Sequence, residues 1–214
     1  MTLELWLLLI ITLLAGAMSP GPSVALVMRT TIVHGRRSGV LVALAHGVGI
    51  TVYALAVVLG LATAIQSSSS LNIGLRIGGA LFLFYLGYRM LSSGIQTAKK
   101  GEDVVTQTPA ERDHKSLTQW QHVLNGFLIV FLNPKVVLFF VAIFSQFLTP
   151  DQSITTQLMA ASMAGGIDAA WYALVAFCVS NQRLAGALSS ASPMIDVAFG
   201  ALFMAFAGFV LLNF

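Results

Sequence analysis

Six apolar stretches, approximately Leu3 to Met28, Gly39 to Ile65, Leu71 to Ser93, Val123 to Leu148, Thr156 to Ser180 and Pro193 to Phe214, dominate the chain. Each is long enough to cross roughly 30 Å of hydrocarbon, which takes about 20 helical residues. A barrel strand would need only about ten residues with strict alternation, whereas these windows are apolar on every face. With 57% of residues hydrophobic and only 9% charged, the chain cannot cover its own surface with polar groups. The expectation is an all-α integral membrane protein of six transmembrane helices.

The polar segments between the stretches divide by charge. Arg29 to Ser38, Arg89 to Gln121 and Asn181 to Ser192 hold nine of the eleven Lys and Arg residues, while Gln66 to Asn72 and Thr149 to Thr155 hold none. The positive-inside rule then makes the basic loops cytoplasmic and puts both termini outside. Basic runs no longer than Arg36-Arg37 and Lys99-Lys100 give no nucleic-acid signal. The first twenty residues carry Glu4 and no basic n-region, so they are read as a retained first span rather than a signal peptide. The four serines Ser67 to Ser70 are expected as an outer loop.

The longest polar segment divides the spans three and three. It reads as a flexible cytoplasmic linker at about 96–121, with a first repeat at about 1–95 and a second at about 122–214 of one transmembrane domain. Tyr53-Ala54-Leu55 is echoed by Tyr172-Ala173-Leu174 and Gly47 by Gly166, all at an offset of 119. Gly79-Ala80-Leu81-Phe82 is echoed by Gly200-Ala201-Leu202-Phe203, and Gly87 by Gly208, at an offset of 121. A duplicated unit with three spans inserts its second copy upside down, giving a 3+3 inverted-topology repeat with sites near the midplane between the copies.

Ser19-Pro20-Gly21-Pro22 in span one is answered by Asn133-Pro134-Lys135 in span four. Proline removes an amide donor and clashes with the preceding turn, so both helices are expected to break at these motifs, the first span of each half. Counted at 1.5 Å per residue, the breaks lie roughly 12 to 17 Å from the cytoplasmic helix ends, near mid-membrane. Lipid cannot satisfy the freed groups, so such a break implies a cavity lined by protein. The positive end of a half-helix attracts a carboxylate and freed carbonyls hold an ammonium, which makes the seven residues of the two motifs candidate binding residues for a zwitterion.

Each unpaired charge inside the bilayer costs about 2.5 to 3.5 kcal/mol on insertion scales. Lys135 and Asp168 fall at similar depth on their helices, and the two are expected to interact, either as a switch in which Asp168 releases Lys135 on protonation or as a permanent structural pair. His46, able to titrate between about pH 5 and 8, is the second candidate for proton coupling. Gly47, Gly49, Tyr53, Trp171 and Tyr172 are candidate cavity-lining residues. His34, His114 and His122 have no ligand spacing, and no metal site or cofactor is expected. Cys178 reads as a small packed hydrophobe. Gly74 and Gly78 read as ordinary helix packing and leave a homodimer open. Arg89 reads as snorkelling to the cytoplasmic face. Trp6, Tyr88 and Trp120 read as interface anchors. Asp196, just after Ser192-Pro193, reads as a first-turn acid of span six.

Through Ser19-Pro20-Gly21-Pro22, the Gly-rich start of span two, Asn133-Pro134-Lys135 and the six-span layout, essentially the whole chain resembles the lysine-exporter superfamily of the LysE/RhtB type. The resemblance implies export of amino acids or close derivatives from the cytoplasm, driven by proton exchange, with the proline motifs along the route. Members that export basic amino acids are expected to carry an acid early in span two, where this chain has His46. That difference favours a neutral substrate of the homoserine, threonine or leucine type. The mechanism expected is alternating access, one half rocking against the other. A divalent metal-ion exporter on the same scaffold is the alternative, although His46 and Asp168 alone are few ligands. An enzyme is not expected: the sequence holds no G-x-S-x-G elbow, no membrane-embedded pair of aspartates and no second cysteine for an intrachain dithiol relay.

Overall fold

The computed structural model describes residues 1–67, 69–100, 117–147, 149 and 152–212. Those residues form α1 (Leu3–Met18), α2 (Pro22–His34), α3 (Arg36–Ser67), α4 (Ser69–Lys100), α5 (Gln119–Leu132), α6 (Pro134–Phe147), α7 (Ile154–Val179) and α8 (Gln182–Leu212). No strand is present among them.

Four helices, α3, α4, α7 and α8, are each long and apolar enough to cross a membrane. The other four form two bent pairs, α1 with α2 at 58° and α5 with α6 at 60°, so the bundle has up to six spans. The bends fall where proline denies the helix its donors: α1 stops at Met18 and α2 resumes at Pro22, while Asn133 alone separates α5 from α6. Around the bundle, large apolar side chains such as Leu44, Val48 and Val52 of α3 and Leu81 and Phe84 of α4 face outward. Such a surface suits acyl chains rather than water.

Helices run further than hydropathy implied. In the segment expected as the loop Arg29 to Ser38, α2 continues to His34 and α3 starts at Arg36, so Gly35 alone makes the turn. Its φ of 85° is the left-handed conformation glycine adopts without a Cβ clash, and its amide donates to the Thr31 carbonyl. The segment expected as the loop Asn181 to Ser192 folds almost entirely into α8, placing Pro193 inside that helix. Asp196 is therefore a buried mid-helix residue and not a first-turn acid. The serine run holds the junction of α3 and α4, with Ser68 outside the described residues. Of the expected linker, α4 takes residues up to Lys100 and a capping box between Thr118 and Gln121 starts α5. Residues 101–116, with His114, lie outside the described residues.

The most extensive helix contacts join α3 to α7 and α4 to α8, and glycine permits both. A side chain at Gly47 would run into Ala169 and the Gly165 carbonyl of α7; one at Gly87 would lie 2.7 Å from the Gly200 carbonyl of α8. Small residues allow such backbone approach, the usual basis of helix association in lipid. Gly74 and Gly78, expected as packing glycines, have nothing within 4 Å of a Cβ position and make no close helix contact. Trp6 is half-buried against the main apolar cluster, whereas Trp120 and Tyr88 are exposed and Arg89 donates to the Tyr85 hydroxyl at 3.3 Å. The main cluster joins Leu9 and Leu13 of α1 to Phe139, Phe140 and Phe144 of α6 and Phe203 of α8. A second, built on Val27, Val42, Tyr172 and Val175, holds α2 to α3 and α7. The two breaks meet between these clusters.

Candidate functional site

Each break leaves backbone groups that the protein itself must satisfy. An unbroken helix would bond the Ser19 carbonyl to the amide of residue 23 and the Pro20 carbonyl to that of residue 24. Here the first helical bond of α2 runs from the Ala25 amide to the Gly21 carbonyl, and no side chain caps the helix start. The carbonyls of Ser19 and Pro20 instead accept from Nζ of Lys135, at 2.8 and 3.3 Å. At the second break, Asn133 ends α5 and caps α6. Its Oδ1 accepts from the Lys135 amide at 3.1 Å, and Pro134 takes the first helical position, where no amide is needed.

A buried polar network ties this centre to the long helices. His46 Nδ1 of α3 lies 2.6 Å from Asp168 Oδ2 of α7, and His46 Nε2 lies 2.9 Å from the Ser23 hydroxyl. The Asn133 amide donates to the same hydroxyl at 3.3 Å. Tyr172 sets its ring edge-on to His46, centroids 4.9 Å apart, and its hydroxyl interacts with Ser23. With His46 donating from Nδ1 to the carboxylate, Nε2 is free to accept from Ser23; an added proton on the imidazole would reverse that bond.

These residues surround a cavity of about 40 Å³, room for a few water molecules. Its polar wall comes from Ser19, Gly21, Ser23, His46, Asn133, Lys135, Asp168 and Tyr172. Its apolar wall includes Leu13, Ile50, Phe139 and Phe140. Ser23 was not singled out from the sequence, although it follows the proline motif directly; the signal available was a hydroxyl one residue into the resumed helix.

Several expected positions differ. Asp168 does not pair with Lys135: it meets His46, because its face of α7 packs on α3. Lys135, in the first turn of α6, reaches across to the end of α1, and the carboxylate within Coulombic range of it is Asp196. Pro20, Pro22 and Pro134 shape the breaks without lining the cavity. Gly47 and Gly49 are spent on packing against α7 and α5, since side chains there would meet Ala169 and Val130. Tyr53 stacks edge-on with Phe131 and Phe140, and Trp171 packs beside the second cluster with a buried Nε1 that has no partner among the described residues. His34 and His122 form a T-shaped ring pair, centroids 4.8 Å apart, away from the cavity. Among the described residues no three His, Cys, Asp or Glu side chains converge as a metal site.

An apolar helical bundle whose two interrupted spans pool their freed backbone groups around a cavity with a polar wall has the architecture of a membrane transport protein. A family model described as LysE type translocator matches residues 14–213, and the chain belongs to that family. The resemblance read from the proline motifs is thereby borne out, and the protein is a translocator rather than an enzyme. The chain is 28% identical over 204 residues to the threonine efflux protein of Escherichia coli (strain K12), covering 95% of this chain and 96% of the relative. It is 33% identical over 143 residues to the leucine efflux protein of Klebsiella pneumoniae, covering 64% and 62% of the two chains. It is 26% identical over 206 residues to the homoserine/homoserine lactone efflux protein of Salmonella typhimurium, covering 95% and 94%. No solved structure matches the chain.

Proposed function

We infer that this protein exports neutral amino acids or close derivatives by proton antiport with alternating access. The observation that carries the reading is the cavity between the two breaks, which sets carbonyls of α1, the start of α2 and the Lys135 ammonium side by side. Carbonyls suit an ammonium group, and a helix N-terminus with a lysine suits a carboxylate. The substrate class follows relatives named as threonine, leucine and homoserine efflux proteins.

Two runs of bent pair, long helix, long helix fit the 3+3 inverted repeat, with the basic loops cytoplasmic, both termini outside and a bacterial inner membrane as the setting. His46 and Asp168 carry the coupling proton, one more when loaded from outside than when reset, and Ser23 passes the change to the cavity. The glycine seams of α3 with α7 and α4 with α8 resist sliding, so the bent pairs are the elements that tilt.

The test is efflux of radiolabelled threonine, leucine and homoserine from loaded proteoliposomes, with and without an imposed proton gradient. Gradient-stimulated efflux of at least one is expected. Divalent-metal efflux with none of the three amino acids moving would overturn the assignment.

A further inference from the structure

The Lys135 ammonium sits on the carbonyls of Ser19 and Pro20, groups orphaned by the break in the α1–α2 span. Two of its three N–H bonds are used in this way. Freed carbonyls at the end of a half-helix carry the negative pole of the dipole and are the place where discontinuous-helix transporters hold a cation. Here the cation is covalently part of the chain. A carboxylate, Asp196, buried in the middle of α8, lies within Coulombic range of it. The two carbonyls thus make a cation site already filled by a side chain.

We propose that Lys135 is a tethered stand-in for the substrate's ammonium: it occupies the amine subsite of the empty carrier and is displaced when an amino acid binds. The proposal rests on the exporter reading and adds what the site does between cycles. On loading, the substrate ammonium takes the Ser19 and Pro20 carbonyls, and the released Lys135 turns to the substrate carboxylate. On unloading, Lys135 returns, so the carrier resets with the Ser19 and Pro20 carbonyls satisfied from within the chain. Because one ammonium replaces another, binding gains little from this subsite. Weak binding of that sort suits a carrier that unloads.

The test uses the full chain in lipid nanodiscs. Ethylammonium, an amine with no carboxylate, is the probe, with propionate as the control for a carboxylate alone. Lys135→Met matches the lysine side chain as far as Cε, lacks the ammonium and empties the subsite. It should bind ethylammonium at least tenfold more tightly than the unmutated protein, with no gain for propionate, and efflux should slow at least tenfold. A folded variant with no gain for ethylammonium would sink the proposal. An independent measurement keeps Lys135 itself. With Lys99→Arg, Lys100→Arg and Lys115→Arg, 13Cε-labelled lysine reports from Lys135 alone. Its resonance should shift on adding threonine, leucine or homoserine, whichever binds, and hold still with the matching 2-hydroxy acid. An unmoved resonance with the amino acid bound overturns the tether and leaves the exporter reading standing. Failure of all three to bind overturns both.

Discussion

His46 Nδ1 and Asp168 Oδ2 meet at 2.6 Å between α3 and α7, both side chains buried. Asp168→Asn retains an oxygen that can accept from His46 and removes the negative charge. We expect a folded variant whose efflux no longer responds to a proton gradient. Efflux from proteoliposomes at matched protein content checks this, and a full gradient response in the variant would reject Asp168 as the coupling group.

Ser23 joins His46 and Asn133 through one hydroxyl. Ser23→Ala strands two buried partners and should destabilise the protein by about 1–3 kcal/mol, the usual penalty for an unsatisfied buried polar group. Unfolding in mild detergent measures it. Ser23→Thr, which keeps the hydroxyl, should lose less.

Asn133 caps α6 through the Lys135 amide and donates to Ser23 from the other end of its side chain. Asn133→Ala should cost about 0.5–2 kcal/mol from the cap alone. Asn133→Asp keeps the capping oxygen and loses the donor, so its thermal stability should fall between the alanine variant and the parent. Equal losses in both variants would mean that the cap contributes little.

Gly47 and Gly166 correspond in the sequence repeat, yet only Gly47 lies against a neighbouring helix. Gly47→Leu would force α3 from α7 and should cost about 1–3 kcal/mol or more, as overpacking does. At Gly166 a Cβ has nothing within 4 Å, and Gly166→Ala should stay within about 0.5 kcal/mol of the parent. The same unfolding assay separates the two.

Hydropathy and proline chemistry carried much of this architecture, because a missing amide at Pro20, Pro22 or Pro134 acts locally and does not depend on the rest of the fold. Seven residues expected at the site, Ser19, Gly21, Asn133, Lys135, Asp168, His46 and Tyr172, do line one cavity. The partners were harder to read. Depth along a helix put Lys135 level with Asp168 but said nothing about rotation, and rotation sends Lys135 to Ser19 and Asp168 to His46. Helix ends at α4 and α8 were missed for a related reason: polar residues such as Gln182, Arg183 and Ser192 lower hydropathy without stopping a helix.

Every hydrogen bond described within the polar centre crosses from the first half of the chain to the second, Lys135 to Ser19, Asn133 to Ser23, Asp168 to His46, apart from the Ser23–His46 contact and the cap on α6. During synthesis, the amino-terminal spans therefore enter the bilayer with an exposed backbone wound that only later residues dress. A truncated product ending before Gln119 lacks the Lys135 donor that those carbonyls use. Two fragments cut within 101–116 and made together could rescue each other, since each holds what the other lacks.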